Sequence, residues 1–317
     1  MSGATLSIRA AGPLVTLQDG GRPGMMRFGV PQSGPMDRLA FAAANRALGN
    51  APDAPAIEVS LAGLSLCCES GQVAVAVTGG AFIVDHAGHK GASWQVLTLR
   101  AGQVLRIRPG FRGSWCYLAL AGRLEVGAWL GSASTHTMSG LGGGALATGQ
   151  VLTLHQTRSL YPRALPYPLI ARPRSLVHVT QGPQQGYFSA AAWRDFVQGD
   201  WRLTSMGDRM GVRLSGPPLL PQGPLDMPSE PVVRGSVQVA GDGVATVLLA
   251  DHQTTGGYPR LATVLDCDLD GLVQLRPRDR LRFLPVTGPQ AVALACSRAG
   301  IVARYLDGLA APVASPG

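Results

Sequence analysis

Residues 251–258, Asp-His-Gln-Thr-Thr-Gly-Gly-Tyr, collect more hydrogen-bonding capacity than any other stretch of the sequence. They follow the apolar run Thr-Val-Leu-Leu at 246–249, so we expect a loop at a strand end. Adjacent glycines expose backbone N–H groups, so we favour a ligand-binding loop over a self-satisfied polar turn. His252 titrates near neutrality and is a candidate acid or base, with a purely structural role as the alternative. Further candidates are Gln253 and Thr255 for catalysis, and Thr254, Gly256, Gly257 and Tyr258 for binding the ligand.

A second candidate is the turn Asp208-Arg-Met-Gly211. Arginine donates two parallel hydrogen bonds to a carboxylate or phosphate, so Arg209 is a candidate anion-binding residue, oriented by Asp208. Asp208 and Arg209 are therefore candidate catalytic residues, and Gly211 is a candidate binding residue. The alternative is a structural ion pair or helix cap. We expect this turn and the 251–258 loop to face one cavity.

A third candidate is the glycine-rich loop at 16–24, which contains Gln18, Asp19 and Arg22. Backbone N–H groups and an arginine would suit an anion, and we expect these residues at the rim of the same cavity. Composition alone favours an ordinary tight turn with a local Asp–Arg pair.

Ser33 lies just ahead of a predicted helix that starts after Asp37. The N-terminal end of a helix attracts anions, which makes Ser33 a candidate binding residue. The equal alternative is that Asp37 is simply the helix cap.

Basic residues are numerous but scattered. The formal net charge is +8, and Lys90 is the single lysine. The arginines form no run and no ladder with aromatic residues, so nucleic-acid binding is not expected. Lys90 has no Ser or Thr after it, which excludes a Walker-type ATP site, and no biotin-carrying lysine motif is present.

The remaining chemistry is sparse. The six histidines and five cysteines form no recognisable metal motif, and His86 and His89 are expected to be solvent-exposed rather than a weak metal site. No run of 18 apolar residues and no signal peptide is evident, so a cytoplasmic protein with reduced thiols is expected.

Internal repeats in the sequence indicate the fold that positions these segments. The pattern Leu-Arg-Ala-Gly-Gln-Val-Leu-Arg-Ile at 99–107 recurs at 146–154 and 275–283, each time as a turn that leads into an alternating strand. With glycine and proline abundant, this predicts a mainly β protein with a few helices, in two related halves. Predicted helices begin after Asp37 and after Ser189, and the tail after Pro285 is expected to be peripheral.

The motifs at 16–24, 29–37, 182–184, 208–211 and 251–259 together resemble the KipA family, also called the C subunit of 5-oxoprolinase or allophanate hydrolase subunit 2, a biotin-dependent carboxyltransferase-like family. The resemblance spans about residues 5–285. It implies tandem cyclophilin-like β-barrel domains, at 1–165 and 166–290, with a C-terminal tail at 291–317.

The resemblance also implies a function. It implies a subunit of an ATP-dependent 5-oxoprolinase that converts 5-oxoproline to glutamate and is inactive alone. The implied partners are a KipI-like (allophanate hydrolase subunit 1) protein and a third, LamB/YcsF-type subunit. ATP, with Mg, would be shared with the KipI-like partner, which helps to phosphorylate the substrate before the third subunit opens the ring. No covalent biotin on this chain, no resident metal and no membrane are expected.

Two departures from the family pattern leave alternatives open. Arg123 and Ala133 replace a glycine and an arginine that the family usually has. Loss of an arginine at 133 removes a natural carboxylate-binding group. The alternatives are therefore a urea carboxylase-type carboxyltransferase subunit and a regulatory antagonist of a KipI-like kinase inhibitor.

Overall fold

The computed structural model describes residues 2–222 and 227–309. Within them the chain divides into two compact units. One comprises residues 2–22, 33–172 and 302–309, and the other comprises residues 23–32 and 173–301 with their internal gap. The domain boundaries expected from the sequence stay a prediction, and residues 310–317 of the expected tail lie outside the described residues.

The first unit is a sheet of twelve strands. They are β1 (Gly3–Ala11), β2 (Thr16–Gln18), β3 (Ala56–Val59), β4 (Leu64–Thr78), β5 (Ile83–His86), β6 (His89–Ala92), β7 (Gln95–Arg100), β8 (Val104–Arg108), β9 (Cys116–Leu120), β10 (Arg123–Leu124), β11 (Val151–His155) and β12 (Arg163–Ala164).

Strand β4 is the central strand of this sheet and pairs with four others. Its first half pairs with β1 and β8, with Leu66 opposite Leu105, and its second half pairs with β7 and β9. The main path runs β10-β11-β1-β4-β8-β5-β6, and β12, β7, β9, β3 and β2 branch from β4. Because alternate side chains point to one face, the apolar positions of these strands form a single buried core around Leu6, Leu66 and Val75.

Helix α1 (Arg38–Leu48) packs on this sheet. Asp37 accepts a hydrogen bond from Ala40 N at 2.9 Å, and the helix ends at the left-handed Gly49. Phe41 meets the ring of Tyr117 on β9 edge-on, with ring centroids 6.0 Å apart. The predicted cap, helix and stop are confirmed.

The second unit contains a closed seven-stranded barrel in the order β13-β20-β17-β18-β15-β14-β21, plus a two-stranded ribbon of β16 and β19. The strands are β13 (Leu176–Gln181), β14 (Trp201–Gly207), β15 (Gly211–Ser215), β16 (Glu230–Pro231), β17 (Ser236–Val239), β18 (Ala245–Leu248), β19 (Thr255–Gly256), β20 (Arg260–Val264) and β21 (Arg280–Pro285). A parallel pairing of β13 with β21 closes the barrel.

Three more α-helices occur among the described residues: α2 (Ala190–Gln198), α3 (Asp266–Leu272) and α4 (Gly288–Gly308). Ser189 caps α2 as predicted, and Phe196 of α2 stacks on Phe283 of the barrel at 4.3 Å. Helix α4 falls where the sequence indicated only a peripheral tail. It has no buried residue, which explains why no core-facing pattern revealed it.

All three repeats are turns that lead into strands, namely β8, β11 and β21. The mainly β fold with two barrel-type units is confirmed. The second barrel is closed and the first is a curled sheet. No helix in the described ranges is long and apolar enough to cross a membrane.

Candidate functional site

In the second unit, the 208–211 turn and the 251–258 loop are joined by a buried ion pair. Arg209 donates from Nε to Asp251 Oδ2 at 3.0 Å and from Nη2 to Oδ1 at 2.9 Å. Both side chains are fully buried. Asp251 N also donates to Arg209 O at 2.8 Å. The structure therefore brings together the two segments that the sequence singled out, through a residue, Asp251, whose role the sequence did not indicate.

Asp208 does not orient the Arg209 guanidinium, because it shapes the turn itself. Its Oδ1 accepts hydrogen bonds from Met210 N at 2.7 Å and from Gly211 N at 3.3 Å. Asp208 is exposed, and Gly211, the first residue of β15, is partly exposed. The guanidinium that was expected to hold an anion has Asp251 as its partner, so Arg209 acts on the site by fixing the loop.

His252 is buried directly beside this pair, with 5% of its surface exposed. Its Nδ1 lies 2.6 Å from the carbonyl oxygen of Gln253. A carbonyl only accepts, so Nδ1 carries the proton and Nε2 keeps its lone pair. Burial lowers the pKa of His252 below its ordinary value, and the Arg234 charge acts in the same direction, against the Gln253 carbonyl and Asp251. The imidazole is therefore suited to accept a proton at neutral pH.

The rest of the loop runs along the surface. Gln253, Thr255 and Tyr258 are exposed, and Thr254 and Gly257 are partly exposed. Thr255 and Gly256 form β19, which pairs with β16, and Thr254 O accepts from Val232 N at 3.1 Å. The hydroxyls and amides that were predicted to bind a ligand are thus accessible and held by a short ribbon.

Gly256 is the exception, because it is buried against two amide groups. A Cβ on Gly256 would collide with Gln238 Nε2 and approach Gln253 Nε2 to 3.1 Å. Gln238 is 5% exposed, and its Nε2 has no hydrogen-bond partner in the described part of the chain. Glycine at 256 therefore allows close packing of the loop on β17, a role that the sequence did not indicate.

A network of polar side chains holds β16, the strand that pairs with the loop strand β19. Gln184 donates to Glu230 Oε2 at 2.8 Å and accepts from Arg260 Nε at 3.0 Å. Arg260 donates to Pro231 O at 2.6 Å and forms an ion pair with Glu230. This network fixes β16, the strand that pairs with β19. The Gly-Pro-Gln motif at 182–184 was the sequence signal for it, but Glu230 and Arg260 had none.

In the first unit, the 16–24 loop binds the segment 129–135. Asp19 Oδ1 accepts from Ser132 Oγ at 2.5 Å and Ser134 Oγ at 2.7 Å, while Oδ2 accepts from Ala133 N at 2.6 Å. Arg22 is 2% exposed and donates to Trp129 O at 2.9 Å and to two further carbonyls. These two charged side chains shape the loop by contacts with residues more than 100 positions away.

Gln18 and Ser33 are also buried in this unit. Gln18 donates from Nε2 to Thr16 Oγ1 at 2.9 Å and Thr135 O at 3.0 Å. Ser33 has a left-handed φ of 55°, is 7% exposed, and its Oγ has no hydrogen-bond partner among the described residues. A Cβ on the next residue, Gly34, would lie 3.5 Å from the backbone of Gly20, so the 16–24 loop and the segment that contains Ser33 adjoin.

Gln18, Asp19, Arg22 and Ser33 belong to the first unit, and the turn and loop belong to the second. A shared cavity stays a prediction. Within residues 2–222 and 227–309, no three or more His, Cys, Asp or Glu residues are grouped as metal ligands.

Comparison with known proteins gives a consistent family. The model for "Carboxyltransferase domain, subdomain A and B" matches residues 28–285. Two proteins named as the C subunit of 5-oxoprolinase are similar over most of their length. The one from Haemophilus influenzae is 36% identical over 288 residues (88% of this chain, 90% of the relative), and the one from Escherichia coli is 33% identical over 294 residues (90% and 93%).

Solved structures agree. TTHA0988 superposes with a TM-score of 0.80 at 35% identity over 89% of this chain, which spans only 55% of that protein. The Kluyveromyces lactis urea carboxylase superposes with a TM-score of 0.85 at 26% identity over 99% of this chain and 30% of that enzyme. The chain therefore belongs to the family of carboxyltransferase domains of subdomain A and B type.

Proposed function

We propose that this chain is the C subunit of an ATP-dependent 5-oxoprolinase, which opens the cyclic amide of 5-oxoproline to give glutamate. One observation carries the proposal: the similarity to the Haemophilus influenzae 5-oxoprolinase C subunit covers 88% of this chain and 90% of that subunit. In the urea carboxylase, by contrast, the corresponding region is 30% of a longer enzyme. The higher identity to the two 5-oxoprolinase C subunits, 36% and 33% against 26% for the urea carboxylase, also favours the 5-oxoprolinase.

The proposed partners are a KipI-like subunit, with which ATP and Mg²⁺ are shared, and a LamB/YcsF-type subunit that completes ring opening. The single lysine, Lys90, lies on β6 of the β5–β6 hairpin and is exposed, so this chain supplies no lysine to nucleotide phosphates from a P-loop. We therefore expect negligible ATP turnover by the chain alone.

Activation of the cyclic amide requires a base and hydrogen-bond donors, and we assign both to the 251–258 loop. When the amide oxygen of 5-oxoproline attacks the γ-phosphorus of ATP, ADP leaves and the amide nitrogen becomes acidic. A neutral imidazole then accepts the N–H proton. His252 Nε2 suits this step, because Nδ1 is committed to Gln253 O and burial keeps the ring uncharged by lowering its pKa. Thr254 and Thr255 hydroxyls and the Gly257 amide are the donors for the oxygen that carries developing charge.

The test uses the complex assembled from all three subunits, with glutamate and ADP as products. His252→Gln is expected to lower turnover by about 10²–10⁴-fold, the usual contribution of a positioned base. It is also expected to remove the acid limb of the pH–rate profile, which loss of packing alone does not do. The matched control is His155→Gln, because His155 lies on β11 in the first unit with 44% of its side chain exposed. Unchanged turnover and an unchanged pH profile in His252→Gln would rule out this role.

The second candidate is a carboxyltransferase-type subunit that takes a carboxyl group from biotin on another chain. The observation in its favour is the superposition on urea carboxylase over 99% of this chain. Carboxyl transfer from a carboxylated biotin carrier, without 5-oxoproline-dependent ADP formation, would favour this function.

A further inference from the structure

A cluster remote in sequence from the 251–258 loop places one arginine between aromatic rings in the first unit. The guanidinium carbon of Arg112 lies 5.0 Å from the ring centroid of Phe111 and 5.2 Å from that of Tyr167. The Tyr167 ring packs on Trp94, with centroids 5.2 Å apart. Cation–π contacts orient the guanidinium through its faces, so its N–H donors stay available in the plane.

Two polar atoms of this cluster have no acceptor. Arg112 Nε and Tyr167 Oη are both buried, and neither has a hydrogen-bond acceptor among the described residues. The Arg112 side chain lies close to the Tyr167 hydroxyl, but a guanidinium only donates and so cannot accept the hydroxyl proton. Buried N–H and O–H groups in native proteins are nearly always paired, and an exception calls for an explanation. A ligand that brings acceptor oxygens satisfies both donors at once.

Trp94, whose ring packs on that of Tyr167, has a strained backbone conformation that several hydrogen bonds hold in place. Trp94 has a left-handed φ of 69°, which is rare for a bulky side chain. Three hydrogen bonds fix it: its N donates to Val77 O at 2.6 Å, its Nε1 donates to Gly80 O at 3.2 Å, and its O accepts from Leu165 N at 2.7 Å. Strain retained by such a set of contacts is typical of functional positions.

Local charge favours an anion. Burial raises the pKa of the Tyr167 hydroxyl, so it is a neutral donor, while Arg112 and Arg172 act in the opposite direction as nearby positive charges. The one acidic group that acts on it, Asp37, already accepts the capping hydrogen bond from Ala40 N. Arg112 and Arg172 carry two positive charges and Asp37 carries one negative charge, so these three groups give a net positive charge around the Tyr167 hydroxyl.

We propose that Arg112 and Tyr167 form an oxyanion-binding site, in which Arg112 and the Tyr167 hydroxyl donate to the oxygens of a carboxylate or a phosphate. The two sources of that chemistry in the proposed function are the carboxylate of 5-oxoproline and the phosphates of ATP. The inference rests on the proposed function only for this choice of probes.

The test is calorimetric titration of the purified full chain with inorganic phosphate, ATP and 5-oxoproline in turn. Wild type is expected to bind at least one of them. Arg112→Met, which keeps the apolar stem on the Tyr167 ring, is expected to weaken that binding about ten- to a hundredfold, as for loss of a charge-assisted hydrogen bond. Tyr167→Phe is expected to weaken it several-fold. Arg112→Lys is expected to lie between wild type and Arg112→Met, since it keeps the charge and loses the planar donor pair.

The control is Arg106→Met, which removes the same charge from an exposed position on β8 and is expected to bind like wild type. Weakening of phosphate and ATP together identifies a phosphate site, and weakening of 5-oxoproline alone identifies a carboxylate site. The proposal is overturned if wild type binds none of the three, or if Arg112→Lys and Tyr167→Phe, once shown to be folded, bind them as wild type does. These titrations need neither a partner subunit nor turnover. Their result is therefore independent of whether the assembled complex makes glutamate.

Discussion

Breaking the ion pair between Arg209 and Asp251 tests how the 208–211 turn and the 251–258 loop are held. Arg209→Met keeps an apolar stem but leaves the fully buried Asp251 carboxylate without its two guanidinium hydrogen bonds. Removing one partner of a buried pair costs about 3–5 kcal/mol. At about 2–4 °C per kcal/mol for a unit of this size, the unfolding midpoint falls by about 6–20 °C, measured by circular dichroism during heating.

The control is Arg9→Met, which removes an exposed ion pair with Glu69 of nearly the same length, 2.7 Å. Water screens that pair, so no measurable shift is expected. A double variant, Arg209→Met with Asp251→Leu, is expected to regain much of the lost stability, because both charges of this pair are removed together. Equal midpoints for Arg209→Met and wild type would refute the reasoning. Loss of turnover in Arg209→Met reports displacement of the loop, so this variant does not measure anion binding.

Three further predictions concern the loop. Gly256→Ala is expected to destabilise the protein by about 1–3 kcal/mol through overpacking against Gln238; adding Gln238→Ala is expected to restore most of the midpoint, and no recovery would contradict the contact. The pKa of His252 in the folded protein is below the unfolded value of about 6.5, so its contribution to stability is complete above that pH and is lost as the pH falls toward the folded pKa. Urea titrations should therefore show that His252→Gln loses less unfolding free energy between about pH 7.5 and 5.5 than wild type does. Parallel pH dependences for the two proteins would contradict this prediction. Thr255→Ala is expected to lower turnover of the assembled complex about 10²–10³-fold with an unchanged midpoint, as for loss of one oxyanion donor; normal turnover would remove Thr255 from the site.

Local features of the fold were predictable because their causes are local. Asp37 before an apolar stripe and Gly49 after it specify a capped helix within one short segment, and α1 has those bounds. The repeated turn-and-strand pattern likewise predicted β8, β11 and β21. By contrast, α4 packs no apolar face into a core, so its pattern carried no signal.

The contacts within the candidate site could not be predicted, because they join residues distant in sequence. The sequence paired Arg209 with its neighbour Asp208, whereas the structure pairs it with Asp251, 42 residues later. Asp19 is likewise held by Ser132 and Ser134. Spacing identified which segments carry polar chemistry, but only the closed barrel and the curled sheet determine which of those residues meet.

The proposed place of this chain in a three-subunit 5-oxoprolinase is tested most directly by the rate of ADP and glutamate formation from 5-oxoproline in mixtures of the purified subunits. We predict matched formation of both products when this chain, the KipI-like subunit and the LamB/YcsF-type subunit are all present. We predict negligible formation with this chain alone or when this chain is omitted. Undiminished 5-oxoproline-dependent formation of both products without this chain, or none in the complete mixture, would contradict the proposed function.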